Sequence, residues 1–290
     1  MHNQHREVSG NMVVKIVTDS GADLPPEIAK SLDITVVPIY IYFGQEAYRD
    51  GVDMGPDELY SRLVEGTVHP TTTQPMPVDF EKVYGELSRE TDEIVSIHLS
   101  SKVSGTYNSA IQGKEMTGGK GSIEVVDSCS LSMGLGLITM AAARVAQEGG
   151  TLEQVMDETR RATQTTKLLG VLDTLKYLLA GGRITRARAT IGSLLNVKPI
   201  LTLQDGEIVQ AGLARSYQKG IEKLYEFIKK SSKIEDISII QSTVPNEAES
   251  LRQRISIFLQ PDQIHMARLG AGLGVHGGPG TLIVTIRQGS

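Results

Sequence analysis

A single cysteine, Cys129, stands in the 290-residue chain, which excludes an internal disulfide and any zinc site built from cysteines. In "VVDSCSLSMG" it is expected to be a small buried residue rather than a nucleophile. Positive charge is not in excess. Lys and Arg number 29 against 34 Asp and Glu, a net charge of −5, so nothing draws the whole molecule toward nucleic acid or a membrane surface. No apolar run approaches the roughly 20 residues of a membrane span. The opening "MHNQHREVSGNM" lacks the apolar centre of a secretion signal. These absences predict a cytoplasmic protein, with residues 1–11 a disordered arm or an appended remnant ahead of a candidate start at Met12. Metal motifs are missing as well. His98 and His265 have no H-E-x-x-H or comparable spacing and no accompanying carboxylate cluster, so no metal is expected. "GGKGS" lacks the spacing of a phosphate-binding Walker loop, so no ATP site is expected either.

What remains is an ordinary globular composition, 40% hydrophobic and 22% charged, in a chain about twice the length of one domain. "MVVKIVTDSGADLPPEIAKSLDITVVPIYIYFG" sets the pattern. An apolar strand from Met12 to Val17 breaks at Asp19-Ser20-Gly21, a helix starts near Pro25-Pro26, and a β-rich run follows from Ile34 to Phe43. The rhythm returns through "DEIVSIHLSS", "GSIEVVDS" and the helical "SLSMGLGLITMAAARVAQEGG". Strands alternating with such helices predict a parallel sheet covered on both faces. "NVKPILTL" and "EIVQAGLA", joined at Asp205-Gly206, predict a hairpin. The expected fold is therefore α/β in two domains: a parallel-sheet N-terminal domain over 12–150, and a smaller α/β C-terminal domain over 151–290, divided near Gly150.

Four stretches carry candidate chemistry, each with two open readings. In "HLSSKVSGTY", His98 to Tyr107, an apolar run meets a helix at a cluster of hydroxyls, which either cap the helix or hold an anion. "HPTTTQPMP", His69 to Pro77, is kept extended by its prolines, as a plain linker or as a rail presenting Thr72 or Thr73. Gly272, Gly274 and Gly277 match G-x-G-x-x-G, but they precede Pro279-Gly280 and a strand, the wrong context for a dinucleotide. His276 in this glycine loop is either structural or a ligand group, since glycines let a ligand approach closely. Arg183, Arg186 and Arg188, with Lys198 beyond, form either a solvated face or an anion- or partner-docking patch. No DNA-reading helix accompanies them. Ser104 and His276 also raise a hydrolase reading, with Asp19 or Asp127 to orient the histidine. However, Lys102-Val103-Ser104-Gly105-Thr106 fails the G-x-S-x-G elbow at its first glycine.

Taken in order, "TDSGADL", "PTTTQPMP", "SSKVSGTYNSA", "VVDS", "LLAGGRI", "LLNVKPIL" and "GVHGGPG" resemble the DegV family over nearly the whole chain, from about Val14 to Ile286. The resemblance implies a two-domain α/β protein that buries one long-chain fatty acid and uses no cofactor. It implies that the carboxylate is held at Thr72, Ser104 and His276, with Thr73 and Gly105 beside them. It further implies, for some members, service as the acyl-carrier subunit of a fatty acid kinase whose separate partner brings ATP. Arg183 and Arg215 then fall at positions implicated in partner docking or head-group chemistry. The family's usual T-S-Q-P-S reads Thr72-Thr73-Gln74-Pro75-Met76 here, so one serine hydroxyl becomes a threonine's and another is lost at Met76. The reading that follows is a lipid-binding protein rather than a catalyst. The alternative is an acyl hydrolase or transferase using Ser104 and His276.

Overall fold

The computed structural model describes residues 13–66, 68–119, 121–183 and 197–289. The expected arm at 1–11, Arg186 and Arg188 lie outside them. Among the described residues no helix is long and apolar enough to cross a membrane, and no group of His, Cys, Asp and Glu is placed to hold a metal ion.

The first sheet is fully parallel, in the order β2-β1-β6-β7: β1 (Lys15–Asp19), β2 (Ile34–Val37), β6 (Glu93–His98) and β7 (Ser122–Asp127). Helices α1 (Pro26–Ser31), α3 (Pro77–Leu87) and α4 (Thr106–Met116) link these strands and cover them. The β-rich run at 34–43 is not one strand. Pro38 has no N–H for a ladder, and the chain turns there into a second sheet of β3 (Tyr40–Phe43), β4 (Glu46–Arg49) and β5 (Thr71–Thr73), ordered β4-β3-β5, with α2 (Pro56–Glu65) between β4 and β5.

The third sheet is the widest and is mixed, in the order β10-β9-β8-β13-β11-β12. It is built from β8 (Thr166–Val171), β9 (Lys198–Gln204), β10 (Glu207–Ala214), β11 (Ile234–Gln241), β12 (Ile264–Arg268) and β13 (Leu282–Gln288). The expected hairpin joins β9 to β10. Gln204 pairs with Glu207, and Asp205 and Gly206 take φ of 51° and 79°, the left-handed pair a tight two-residue turn requires. Helices α8 (Tyr217–Lys230) and α9 (Pro245–Ile255) pack on this sheet.

Between the first and third sheets lies α5 (Met133–Gln147), followed by α6 (Leu152–Thr165). α5 is apolar all round because it has a sheet on each side. Leu135, Ile138 and Ala142 face Ile16, Val95 and Ile97 of the first sheet. Met133, Leu137 and Met140 face Leu168, Ile240 and Ile283 of the third. Arg144 on the same helix reaches Asp236 of β11 at 2.8 Å, a further tie between the halves. Cys129 departs from expectation. It is exposed, at φ 50° in the turn between β7 and α5, where its N–H bonds the Asp127 carboxylate and its side chain has no core to enter. Partial burial and the nearby Asp127 carboxylate raise its thiol pKa, which leaves it a poor nucleophile.

Candidate functional site

Three segments from the two halves of the chain converge. The first is β5, a three-residue edge strand bracketed by Pro70 and Pro75, with Thr72 opposite Ile41 of β3. The second is the loop from Leu99 to Gly105 that leaves the carboxyl end of parallel strand β6, the edge at which α/β sheets present ligand sites. The third is the glycine-rich stretch at 270–278. It was expected to be a loop, but most of it is a short helix, α10 (Ala271–Gly277). Its glycines are there for close approach. A Cβ at Gly272 would lie 2.7 Å from Asp50, and one at Gly274 would lie 2.6 Å from Leu59 and 2.7 Å from the Tyr60 hydroxyl. No phosphate is needed at the helix start, because carboxylates already face it. Asp23 accepts from the Gly270 N–H at 2.9 Å and from the Ser132 hydroxyl at 2.6 Å, and Asp50 faces the N–H groups of Ala271 and Gly272. Burial pushes both acids up, Asp23 well above the carboxylate range and Asp50 to about 6.

His276 comes off the last turn of α10. Its Nε2 lies 2.7 Å from Thr72 Oγ1, a bond between residues 204 apart in sequence. Over the other side of the ring passes the chain after α7 (Lys176–Ala180). A Cβ at Gly181 would fall 2.1 Å from Nδ1, so only glycine fits there. Gly278, at φ 72°, lies as tightly under Tyr177. Of the two glycine pairs only Gly181 is pressed against the imidazole; Gly277 and Gly278 make room for Leu269 and Tyr177 instead. Burial, the Arg183 charge and His69 together lower the His276 pKa to about 4, so the ring is neutral at pH 7, and Nδ1 is buried with no hydrogen-bond partner.

Ser104 stands one residue before Gly105, the N-cap of α4; its Oγ accepts from the Thr106 N–H at 3.2 Å and lies 2.8 Å from the Thr106 hydroxyl. It also lines the more polar of two compartments with Thr72, Thr73, Gln74, Arg183 and His276, beside Ile39, Leu99 and Val103. Gly105 stands beside it, under the Gln74 amide. A second, apolar cavity runs over the face of the third sheet, along Leu168, Gly170, Leu201, Leu203 and Ile283. The two spaces share Leu131, Ile208, Leu273 and His276, so the imidazole stands where polar walls give way to leucines. A molecule with one charged end and a long apolar body matches this division of the walls.

Each residue expected at the site by sequence is here except Arg215, which lies just beyond Ala214, six residues along β10 from Ile208, or roughly 20 Å at about 3.4 Å per residue. The sequence had two aspartates to orient His276, and neither does so. Asp19 bonds His98 Nδ1 at 3.0 Å within a wholly buried chain that continues through Ser96 to Tyr84. Asp127 accepts from the N–H groups of Ser101 and Cys129. Ser104 bonds Thr106 rather than His276, so nucleophile, base and orienting acid are not joined.

The sequence model of the DegV family, described as "Uncharacterised protein, DegV family", matches residues 13–288. The chain belongs to the DegV family. A DegV domain-containing protein of Caldanaerobacter subterraneus is 35% identical over 92% of this chain and 95% of its own length. A DegV family protein from Thermus thermophilus, whose solved structure is titled for fatty acid binding, superposes with a TM-score of 0.88 at 34% identity, over 96% of this chain and 100% of that one. A stearic acid-binding protein from Eubacterium ventriosum superposes at 0.84 with 26% identity, over 95% of this chain and 98% of that one. The sequence reading gave no role to Gln74, Gly181 or Asp23. Gln74 carried a usable signal, a polar side chain held extended by the following proline in a threonine-rich strand.

Proposed function

We propose that this DegV chain binds one long-chain fatty acid, with its carboxylate in the polar compartment at Thr72, Ser104 and His276 and its tail over the third sheet. The observation that carries the reading is the position of His276, on the boundary between hydroxyl-lined and leucine-lined space. A buried carboxylate is costly unless it is hydrogen-bonded. Hydroxyls and a neutral imidazole N–H supply bonds without a counter-charge pressed against it, and Arg183 at the wall adds attraction. The tail supplies affinity, at about 0.8 kcal/mol per buried methylene or roughly 11 kcal/mol gross for a sixteen-carbon acid. Ordering costs take back several kcal/mol of this. The fatty acid titles of the Thermus and Eubacterium relatives support the same ligand. The protein acts in the cytoplasm as a carrier rather than a catalyst, its halves 12–150 and 151–290 closing on the ligand. It presents the carboxylate to a separate kinase that brings its own nucleotide.

The test is lipid extraction and mass measurement on protein purified without added ligand, together with titration of Ser104→Ala. Loss of a hydrogen bond to a charged group, about 1.5–3 kcal/mol, is expected to weaken fatty-acid binding about 10- to 150-fold. A folded Ser104→Ala protein that binds as tightly as the parent refutes the assignment.

A further inference from the structure

In the polar compartment the three residues assigned to the carboxylate are already engaged. An ionised carboxylate has about four acceptor positions. Thr72 and Ser104 bring one hydroxyl proton each, and a neutral His276 brings one N–H. Two hydrogen bonds already tie these groups up: Thr72 to His276 at 2.7 Å, and Ser104 to Thr106 at 2.8 Å. Gln74 lines the same compartment and its side chain has no hydrogen-bond partner among the described residues. Its position is built rather than incidental. Pro75 follows it, is buried, and holds Gln74 in extended backbone. Its amide lies flat across Gly105: a Cβ there would meet Gln74 Cδ at 3.0 Å, Nε2 at 3.1 Å and Oε1 at 3.2 Å. Gly105 has an ordinary φ of −78°, so the backbone does not require glycine at this position. The passing amide does.

We infer that Gln74 is a fourth head-group residue, whose carboxamide donates to the fatty-acid carboxylate and selects an anionic head over a neutral one, with Gly105 as the seat that positions it. The inference rests on the fatty-acid reading of the site. The two uncommitted N–H groups of Gln74 join the Thr73 hydroxyl and the Arg183 guanidinium, which line the same compartment, as donors for the carboxylate. A glutamate of the same shape would set carboxylate against carboxylate and remove those N–H donors at once.

The test titrates a sixteen-carbon fatty acid and the corresponding primary alcohol into the parent, Gln74→Glu, Gly105→Ala and, as the control for the site itself, Ser104→Ala. Gln74→Glu is expected to weaken the acid at least about tenfold and to change the alcohol less than about threefold. Gly105→Ala keeps the amide's chemistry but displaces it, and is expected to weaken the acid several-fold, again sparing the alcohol. Gln74 is exposed, so Gln74→Glu is expected to melt like the parent. If Ser104→Ala loses the acid while Gln74→Glu keeps it, Gln74 is not a head-group residue. If acid and alcohol weaken equally in Gln74→Glu, the side chain merely packs, and the inference also fails. If neither Gln74→Glu nor Ser104→Ala changes acid binding, the head-group reading of the compartment falls, and this inference with it.

Discussion

Replacing His276 with glutamine should change how stability depends on pH, by an amount the site geometry sets. Burial, with Arg183 and His69 adding to it, lowers the ring's pKa from 6.5 to about 4. In the unfolded chain the same ring takes its proton near 6.5. Between those values the unfolded state binds more protons than the folded one, so stability rises with pH across that window. At about 1.4 kcal/mol for each tenfold change in proton affinity, the contribution is about 3 kcal/mol. It is fully present above pH 6.5, declines as pH falls, and is gone near pH 4. The assay is urea unfolding of lipid-free parent and His276→Gln protein at half-unit steps from pH 4 to 7.5. The buried acids Asp23 and Asp50 titrate with the opposite sign nearby, but both proteins share them and they cancel in the difference. The parent-minus-variant difference should therefore grow by about 3 kcal/mol from pH 4 to pH 7. A difference that is flat with pH, or a His276 ring titrating near 6.5 by NMR in the lipid-free protein, would refute the burial argument. Bound fatty acid places a negative charge beside the ring, so the loaded protein should show a shallower slope.

Three further outcomes follow from the same geometry. Gly170 sits in the floor of the apolar cavity, and a Cβ there lies 3.1 Å from Ile283 Cγ1; Gly170→Leu should shift the extracted lipid toward shorter chains, and an unchanged chain-length profile by mass spectrometry would show that the tail lies elsewhere. Asp50, raised from 3.8 to about 6, adds stability that is complete below 3.8 and lost as pH rises through 6; Asp50→Asn should therefore gain up to about 3 kcal/mol at pH 7 relative to its effect at pH 4, and urea unfolding that shows no such difference would argue against a strained carboxylate. Arg215→Ala should keep parental fatty-acid affinity yet lose acyl-phosphate yield with a compatible kinase, whereas Arg183→Ala, at the compartment wall, should lose some of both; two variants unchanged in both assays would make these arginines ordinary surface charges.

Local elements and the identities of the converging groups were legible along the chain. Asp205-Gly206 specified its hairpin because few residue pairs tolerate two left-handed positions, and proline placement fixed the start of α1 and the extended run through Thr72. The order of motifs pointed to Thr72, Ser104 and His276 through family resemblance, before their proximity was visible. Tertiary structure decided the rest, because the deciding contacts join residues distant in sequence. Pro38 marks a break within Ile34–Phe43, but only the partners β1 and β5 decide that the two pieces join different sheets. The glycines at 272–278 read as a loop until Asp50, Leu59, Tyr60 and Tyr177 are seen pressing on a helix that only glycine lets them approach. Histidine's charge state is likewise invisible in its neighbours along the chain. His276 is neutral because burial and Arg183 make protonation costly, and both are properties of the packed molecule.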